Sequence, residues 1–527
     1  MSQHQQTAQT QSQPTSQLVA AGTEHLDVLI VGAGISGVSA AHHIKQGCTN
    51  RSFAILEARA TMGGTWDLFR YPGIRSDSDM HTLGFQFRPW REAKAIADGP
   101  SIRKYVKATA AESGLTEHVR FNHKVIAADF DQANSRWRVT VETAGKQKEL
   151  TCNLFFMCGG YYSYKGGYTP EFKGRDSYQG QVIHPQQWPE DLDYTDKNVL
   201  VIGSGATAMT LVPAMTDKAA KVTMLQRSPT YVVSRPEQDA IANFLRKILP
   251  EKLAYRLTRF KNIELQRFFF NRTRTQPEKV KANLLKMVRD QLGDDYDVEK
   301  HFTPRYNPWD QRLCLVPNAD LFTAINSGKA EVVTEHIDEF VPEGVRLKTG
   351  EVLQADIIVT ATGLNLEVLG GASFSVDGTP VNFADTFSYK GMMYSDVPNL
   401  VQTFGYINAS WTLRADLTSE YVVRLLNHMS EHNTPQCVPR VAPEDADMAV
   451  RPWITDFPAG YMNRSMHLFP KQGDRQPWLN TQNFAEDRKT IRNGELEDGS
   501  LIFLTAQQAQ AQASEEAGRA ALRTDAA

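Results

Sequence analysis

Two short segments carry glycines at spacings suited to phosphate chemistry. The first reads Gly32-Ala33-Gly34-Ile35-Ser36-Gly37, with Glu57 twenty residues after Gly37. Glycines so placed permit a tight strand-to-helix turn, close approach of backbone N–H groups to a pyrophosphate, and tight helix packing. A carboxylate about 20 residues on can hold both ribose hydroxyls, and it repels a 2′-phosphate. Gly32, Gly34, Gly37 and Glu57 are therefore candidate ligands of FAD or NAD, not NADP. The second segment reads Gly203-Ser204-Gly205-Ala206-Thr207-Ala208, with Ala208 in the third glycine place. Its acidic position differs: Gln226 and Arg227 stand there, followed by Ser228. A guanidinium pairs with a 2′-phosphate. Gly203, Ser204, Gly205, Thr207, Ala208, Arg227 and Ser228 thus form a candidate NADPH site. Two sites of opposite phosphate preference in one chain imply hydride transfer from NADPH to a bound flavin.

These residues need elements to position them. Residues 26–31 form an apolar strand, a glycine turn leads to a helix opening at Ile35, and 53–56 form a second apolar strand. The same order returns about 170 residues later, with strands at 198–202 and 222–225 around a helix ending near Met215. Between them, 120–153 alternates polar and apolar residues like a meander and ends in the apolar run 154–158. A similar run at 356–360 follows the second unit, and both close on small residues, Cys158-Gly159-Gly160 and Ala361-Thr362-Gly363. The expected fold is α/β with two Rossmann-like dinucleotide-binding domains, for FAD and NADP, and a helical insert. The expected division is a disordered tail at 1–24, a first part of the FAD domain at 25–165, and a linker at 166–190. An NADP domain at 191–349 with its insert at 240–300 follows, then a second part of the FAD domain at 350–505 and a flexible tail at 506–527.

Composition narrows the function classes. With 527 residues, 41% hydrophobic, the chain is long enough for two or three full cores. A net charge of −3 provides no global positive field for nucleic acid. Five scattered cysteines with no CxxC pair form no disulfide framework and no metal site. Cys152 and Cys158 stand too far apart for the redox pair of a disulfide reductase. The first 24 residues hold no Lys or Arg and no apolar core segment, unlike a secretory signal, and no apolar run reaches 18 residues. A soluble, cytoplasmic protein is expected. From Arg246 to Arg289, 13 Lys or Arg stand against three Glu, interleaved with apolar residues at helical spacing. A helical subdomain with a solvated charged face is the first reading; peripheral membrane contact through this basic insert is the second.

Further residues carry a family pattern. Tyr178-Gln179-Gly180, His184 and Trp188-Pro189 resemble the FxGxxxHxxxWP fingerprint of type I Baeyer–Villiger monooxygenases, with Tyr178 in place of Phe. Gly63-Gly64-Thr65-Trp66, Tyr71-Pro72-Gly73 and Asp77 agree with the second motif of that family at every fixed position. The stretch from about 25 to 505 resembles this family, most of all the mycobacterial branch that activates thioamide prodrugs such as ethionamide; Tyr306-Asn307-Pro308-Trp309-Asp310-Gln311-Arg312 carries that likeness.

The resemblance implies an FAD-dependent, NADPH- and O2-consuming enzyme that converts ketones to esters or lactones through a flavin C4a-peroxide, and that oxidises sulfides or thioamides. It makes Arg312 the fixed cation for the peroxide anion, since Arg stays charged at all relevant pH. It makes Asp77 that cation's carboxylate partner, and places Gly64, Thr65, Trp66 and Asp77 at the flavin. Gly180, His184 and Trp188 become structural residues, with His184 linking the two domains during coenzyme movement. The turn 408–411, before the helical stretch 413–429, directs a helix N-terminus at the flavin ring. A flavin-containing monooxygenase acting on N or S atoms and a non-catalytic flavin redox sensor are the alternatives; Trp188-Pro189, Asp77 and Arg312 favour the Baeyer–Villiger side.

Overall fold

The computed structural model describes residues 22–311, 313–455 and 459–524, the last six of these as backbone only. Arg312 and most of the expected N-terminal tail lie outside the described residues. In the first sheet, β1 (Glu24–Val31), β2 (Phe53–Leu56) and β3 (Val119–Arg120) are parallel neighbours. The strands β4 (Lys124–Asp131), β5 (Arg136–Thr143) and β6 (Lys146–Met157) make the expected antiparallel meander. β6 closes the sheet by lying parallel to β1, with Val31 opposite Met157. The chain later returns to this sheet: Ser373–Val376 pairs with β4 and Leu400–Gln402 with β6.

The helix α1 (Ile35–Gly47) follows β1 directly. Its buried side packs against the 21-residue helix Trp411–Glu431, and Ile44, Leu417, Tyr421 and Leu425 are fully enclosed between sheet and helices. The Ser39 hydroxyl donates to the buried Asp416 at 2.7 Å. This packing needs glycine at position 37, because a Cβ there would lie 1.8 Å from the Gly32 carbonyl oxygen. Gly32 itself has φ +101°, and a Cβ on it would meet the Cys158 carbonyl at 2.7 Å. The turn from β1 to α1 is thus pressed against the end of β6.

The second sheet has five parallel strands in the order Ala330–Thr334, Lys221–Gln226, Asn198–Ile202, Ile357–Thr360, Gln181–Ile183. Its helix Ala206–Met215 starts from Gly205. Two expectations change here. Residues 357–360, expected within the FAD domain, pair with Val199–Ile202 inside the second sheet. The segment 166–190, expected as a linker, contributes the edge strand Gln181–Ile183. The physical cause is Gly180, where a Cβ would lie 2.5 Å from the Asp356 carbonyl oxygen; only glycine lets these backbones meet. Tyr178 adds a hydrogen bond to the Ala355 carbonyl at 2.9 Å.

The basic stretch forms the helices Ala240–Ile248, Glu251–Thr275 and Pro277–Leu292. Arg259, almost wholly buried, pins the second of these to the first domain by donating to the carbonyls of His81, Thr82 and Gly84 at 2.8–3.0 Å. Within the segment 506–527, Ala506–Thr524 is helical, as its Ala and Gln content favours. Gln132 holds it by donating to Glu516 at 2.6 Å. Among the described residues no helix is long and apolar enough to cross a membrane.

Candidate active site

A cavity of about 280 Å³ opens at the carboxyl ends of β1, β2 and β6. Gly32, Gly34, Glu57, Gly64, Thr65, Trp66 and Asp77 all line it, so the structure brings together most of the expected first set. Gly37 stands apart, in the packing of α1. Strand ends of a parallel sheet are where an open α/β fold binds its ligands, because the crossover helices point their N-termini there. Glu57 ends β2, buried, with its carboxylate accepting from the Ala33 N–H at 2.8 Å and the Arg59 N–H at 2.9 Å. Burial pushes this carboxyl upward from its ordinary value, and the two N–H bonds oppose the rise. Gly159 and Gly160 line the opposite wall, and a Cβ on either would meet nothing within 4 Å. Backbone with open space above it, facing a buried carboxylate, fits an adenine dinucleotide laid across the β1 turn.

Thr207 and Thr210 of the second unit line this same cavity. Tyr71-Pro72-Gly73 brings them there: a Cβ on Gly73 would lie 2.5 Å from the Ala214 side chain, so this turn packs directly on the helix Ala206–Met215. The buried Tyr71 phenol is pushed upward by burial, and the neighbouring Thr207 hydroxyl opposes the rise. The other residues of the second set lie along the rim of the second sheet. The Ser204 hydroxyl donates to the Ser228 carbonyl at 3.0 Å, and Ala208 is buried in the core. A Cβ on Gly205, like those on Gly159 and Gly160, would meet nothing within 4 Å. Arg227 is exposed and has no carboxylate partner among the described residues. Gln226, in contrast, is buried and bonded to His301 and Thr334.

The first turn of the helix Trp411–Glu431 reaches the cavity through Ala409 and Trp411, so positive helix-end potential faces it. Trp411 is fixed by a 2.7 Å bond to Ser36 and stacks on Tyr161. A second cavity of about 400 Å³ lies against the helix Glu251–Thr275, lined by Ile263, Phe270, Trp309 and Phe484. Ile407 and Ala409 line both cavities. Leu315, three residues after Arg312, lines the first, and Trp309, three before it, the second.

Sequence reasoning missed a polar cluster beside the flavin-motif residues. Asp67 directly follows Trp66, its side chain is fully buried, and it accepts from Arg59 at 3.2 Å, Arg70 at 3.1 Å and Arg103 at 2.9 Å. Burial raises its pKa, yet the Arg59 and Arg103 bonds outweigh burial and hold the carboxyl below its usual range. The signal was its adjacency to the motif; three arginines spread over 59–103 have no spacing that announces a cluster. Tyr406 was also missed. It lines the cavity, held by a 2.7 Å bond to Asp487, which in turn pairs with the buried Arg414.

His184 is placed by its neighbours. Nδ1 accepts from the Gln186 N–H at 3.1 Å, so the proton sits on Nε2 and is donated to the Gly363 carbonyl at 3.0 Å. Burial lowers its pKa. Trp188 packs against the second core. The cysteines Cys48, Cys152, Cys158, Cys314 and Cys437 are all buried, and none of them forms a disulfide. A grouping of His428, His432 and Glu497 lies at the outer end of the helix Trp411–Glu431, about 25 Å along it from Trp411.

A doubly wound flavoprotein architecture, with two dinucleotide cradles opening on one cavity, defines the class of this protein. Residues 95–368 match the flavin-binding monooxygenase-like family, and residues 30–98 match an NAD(P)-binding Rossmann-like domain. The FAD-containing monooxygenase EthA of Mycobacterium tuberculosis (strain ATCC 25618 / H37Rv) is 55% identical over 482 residues, covering 91% of this chain and 98% of the relative. EthA of Mycolicibacterium smegmatis is 52% identical over 91% of this chain and 97% of the relative. The probable FAD-binding monooxygenase AlmA of Acinetobacter baylyi is 47% identical over 91% of this chain and 96% of the relative. The chain belongs to the flavin-binding monooxygenase-like family. Among solved structures, an oxidized steroid monooxygenase bound to NADP superposes with a TM-score of 0.72 at 21% identity, over 91% of this chain and 99% of the other. Cyclohexanone monooxygenase from Rhodococcus sp. Phi1 bound to NADP+ superposes at 0.69 and 19% identity, over 92% of this chain and all of the other. At such identities these structures share the fold.

Replacing Asp67 by Ala removes the shared carboxylate of Arg59 and Arg103 and leaves Arg70 only the carboxylate of Glu190; because the three guanidiniums are partly exposed to water, the loss should be about 1–2 kcal/mol. Denaturant titration should show a loss of that size and weaker flavin retention; a change below about 0.5 kcal/mol would mean that water replaces Asp67 without cost. His184 yields a pH prediction. Its neutral form is favoured in the fold, whereas the unfolded imidazole takes up a proton near pH 6.5, so stability is full above that pH and is lost as pH falls. The midpoint of thermal unfolding of His184→Asn should therefore fall less steeply than wild type between about pH 8 and pH 5, and parallel slopes would refute the assignment.

Proposed function

We propose that this enzyme is an FAD-dependent, NADPH-consuming Baeyer–Villiger monooxygenase that converts a ketone, O2, NADPH and a proton into an ester or lactone, NADP+ and water, and also oxidises sulfides or thioamides. The observation that carries this reading is the shared cavity, into which the β1 cradle, Asp77 and Thr207 of the second cradle all project. FAD, when bound, supplies two-electron transfer from NADPH and the activation of dioxygen. The remaining work falls to side chains. Glu57 holds the ribose on the side where a 2′-phosphate is unwelcome, and Arg227 binds that phosphate on the coenzyme. Arg312 provides the fixed cation for negative charge developing on the reacting oxygen, and Asp77 orients that cation. The N-terminal turn at Ala409 and Trp411 adds helix-end potential of the same sign. Tyr161, Tyr406 and Trp411 wall the cavity with rings and keep water away from the reaction. The ketone enters through the second cavity and passes Ile407 and Ala409.

The test is NADPH oxidation by the purified yellow protein in aerobic buffer with linear, cyclic and aryl ketones and a thioether, with products identified by mass spectrometry. The expected product is an ester one oxygen heavier than its ketone, lost in Arg312→Ala while flavin reduction by NADPH persists. Sulfoxide without any ester would reassign the enzyme to heteroatom oxygenation; NADPH use yielding only hydrogen peroxide across the panel would remove the substrate claim. Separately, Arg227→Ala should raise the KM for NADPH about tenfold to a hundredfold while leaving that for NADH in place, the effect of one charge-assisted phosphate contact. An equal rise for both coenzymes would assign Arg227 a structural role.

A further inference from the structure

The helix Glu251–Thr275 buries Ala254 and Tyr255 but leaves large apolar side chains facing outward. Its face toward the protein carries Thr258, Arg259 and Asn262, all buried, and their bonds to His81, Thr82, Gly84 and Asp79 leave the helix no freedom to turn. Its outward face carries Leu253, Leu257 and Phe260, the last 64% exposed. The preceding helix Ala240–Ile248 repeats the pattern, with Ile241, Phe244 and Ile248 exposed at helical spacing and Ala242 buried. Of the 13 large apolar side chains exposed among the described residues, nine fall between Ile241 and Phe269. Such a concentration is far beyond the scattered apolar exposure of a water-soluble surface.

On these two helices the exposed charges without an ion-pair partner among the described residues are positive. Lys247, Lys252, Arg256 and Arg272 are exposed and have no carboxylate partner among the described residues. The acids of the second helix are already taken: Glu251 pairs with Arg91 and Glu264 with Arg267. A second copy of the chain docked through a twofold axis would bring these cations face to face. A bilayer with anionic headgroups instead takes Phe and Leu at the acyl boundary and Lys and Arg at the phosphates.

We propose that the face formed by the helices Ala240–Ile248 and Glu251–Thr275 docks the enzyme on an anionic lipid surface. The FAD-loaded enzyme is sedimented with vesicles of phosphatidylcholine alone and with an equimolar mixture of phosphatidylglycerol and phosphatidylcholine, at low and high salt. Binding is expected to the anionic vesicles and to weaken with salt. The Kd should rise at least tenfold in Phe244→Ser/Phe260→Ser and in Lys247→Gln/Lys252→Gln/Arg256→Gln, while flavin content and NADPH oxidation in solution stay as in wild type, which shows that both variants are folded. Wild type that fails to sediment with anionic vesicles, or variants that sediment equally well, would overturn the proposal. So would light scattering in which Phe244→Ser/Phe260→Ser turns a dimer into a monomer with no vesicle binding at all, since the patch would then be a subunit interface.

Discussion

The cradle depends on a close backbone contact between the turn that leaves β1 and the carbonyl at the end of β6. Gly32 lies against Cys158, Gly37 lies against Gly32, and neither position has room for a methyl group. Because β1 and β6 are parallel neighbours, this contact brings two strand ends and one helix start to the same point. The cavity grows from that point: Glu57 closes one side, the open glycines after Cys158 the other, and the helix Trp411–Glu431 enters only because α1 packs tightly enough to receive it. Loosening this turn would disturb the cradle, the packing of α1 and the approach of Trp411 together.

Besides the Arg259 anchor of the helical insert, the second unit is coupled to the first by specific small contacts. Gly73 lies on the helix Ala206–Met215, Arg70 pairs with Glu190, and His184 holds the Gly363 carbonyl where the chain crosses back. Most of these involve backbone or single polar groups, and the rest of the shared surface surrounds a cavity. The two halves are also chemically unlike: a buried carboxylate ends the second strand of one, and an exposed guanidinium ends that of the other.

Both cradles were legible in the sequence because their signals are local: an apolar run, three glycines and one charged residue within about 30 positions. The meander was legible for the same reason, through alternation along β4, β5 and β6. The second sheet was misread at its edge. Gln181–Ile183 is three residues long, and its partner Ile357 is more than 170 residues away, so the pairing leaves no periodic trace. The run 356–360 was visible, yet an apolar run does not say which sheet receives it. Asp67 and Arg259 were opaque because their partners come from several segments. Ala506–Thr524 has a helix-forming composition, but its docking depends on Gln132, which no local pattern reveals.

The burial of the cysteines bears on how long such an enzyme survives its own work. Thiolate, and not thiol, is the form that reactive oxygen attacks. Burial pushes the thiols of Cys158 and Cys437 up to about 12, and raises those of Cys48 and Cys152 as well. Burial therefore favours the thiol over the thiolate at these positions. Cys158 sits on the cavity wall itself, where any oxidant that escapes would meet it first. Favouring the thiol form lowers the reactivity of the one sulfur that lines the cradle of a protein that handles dioxygen.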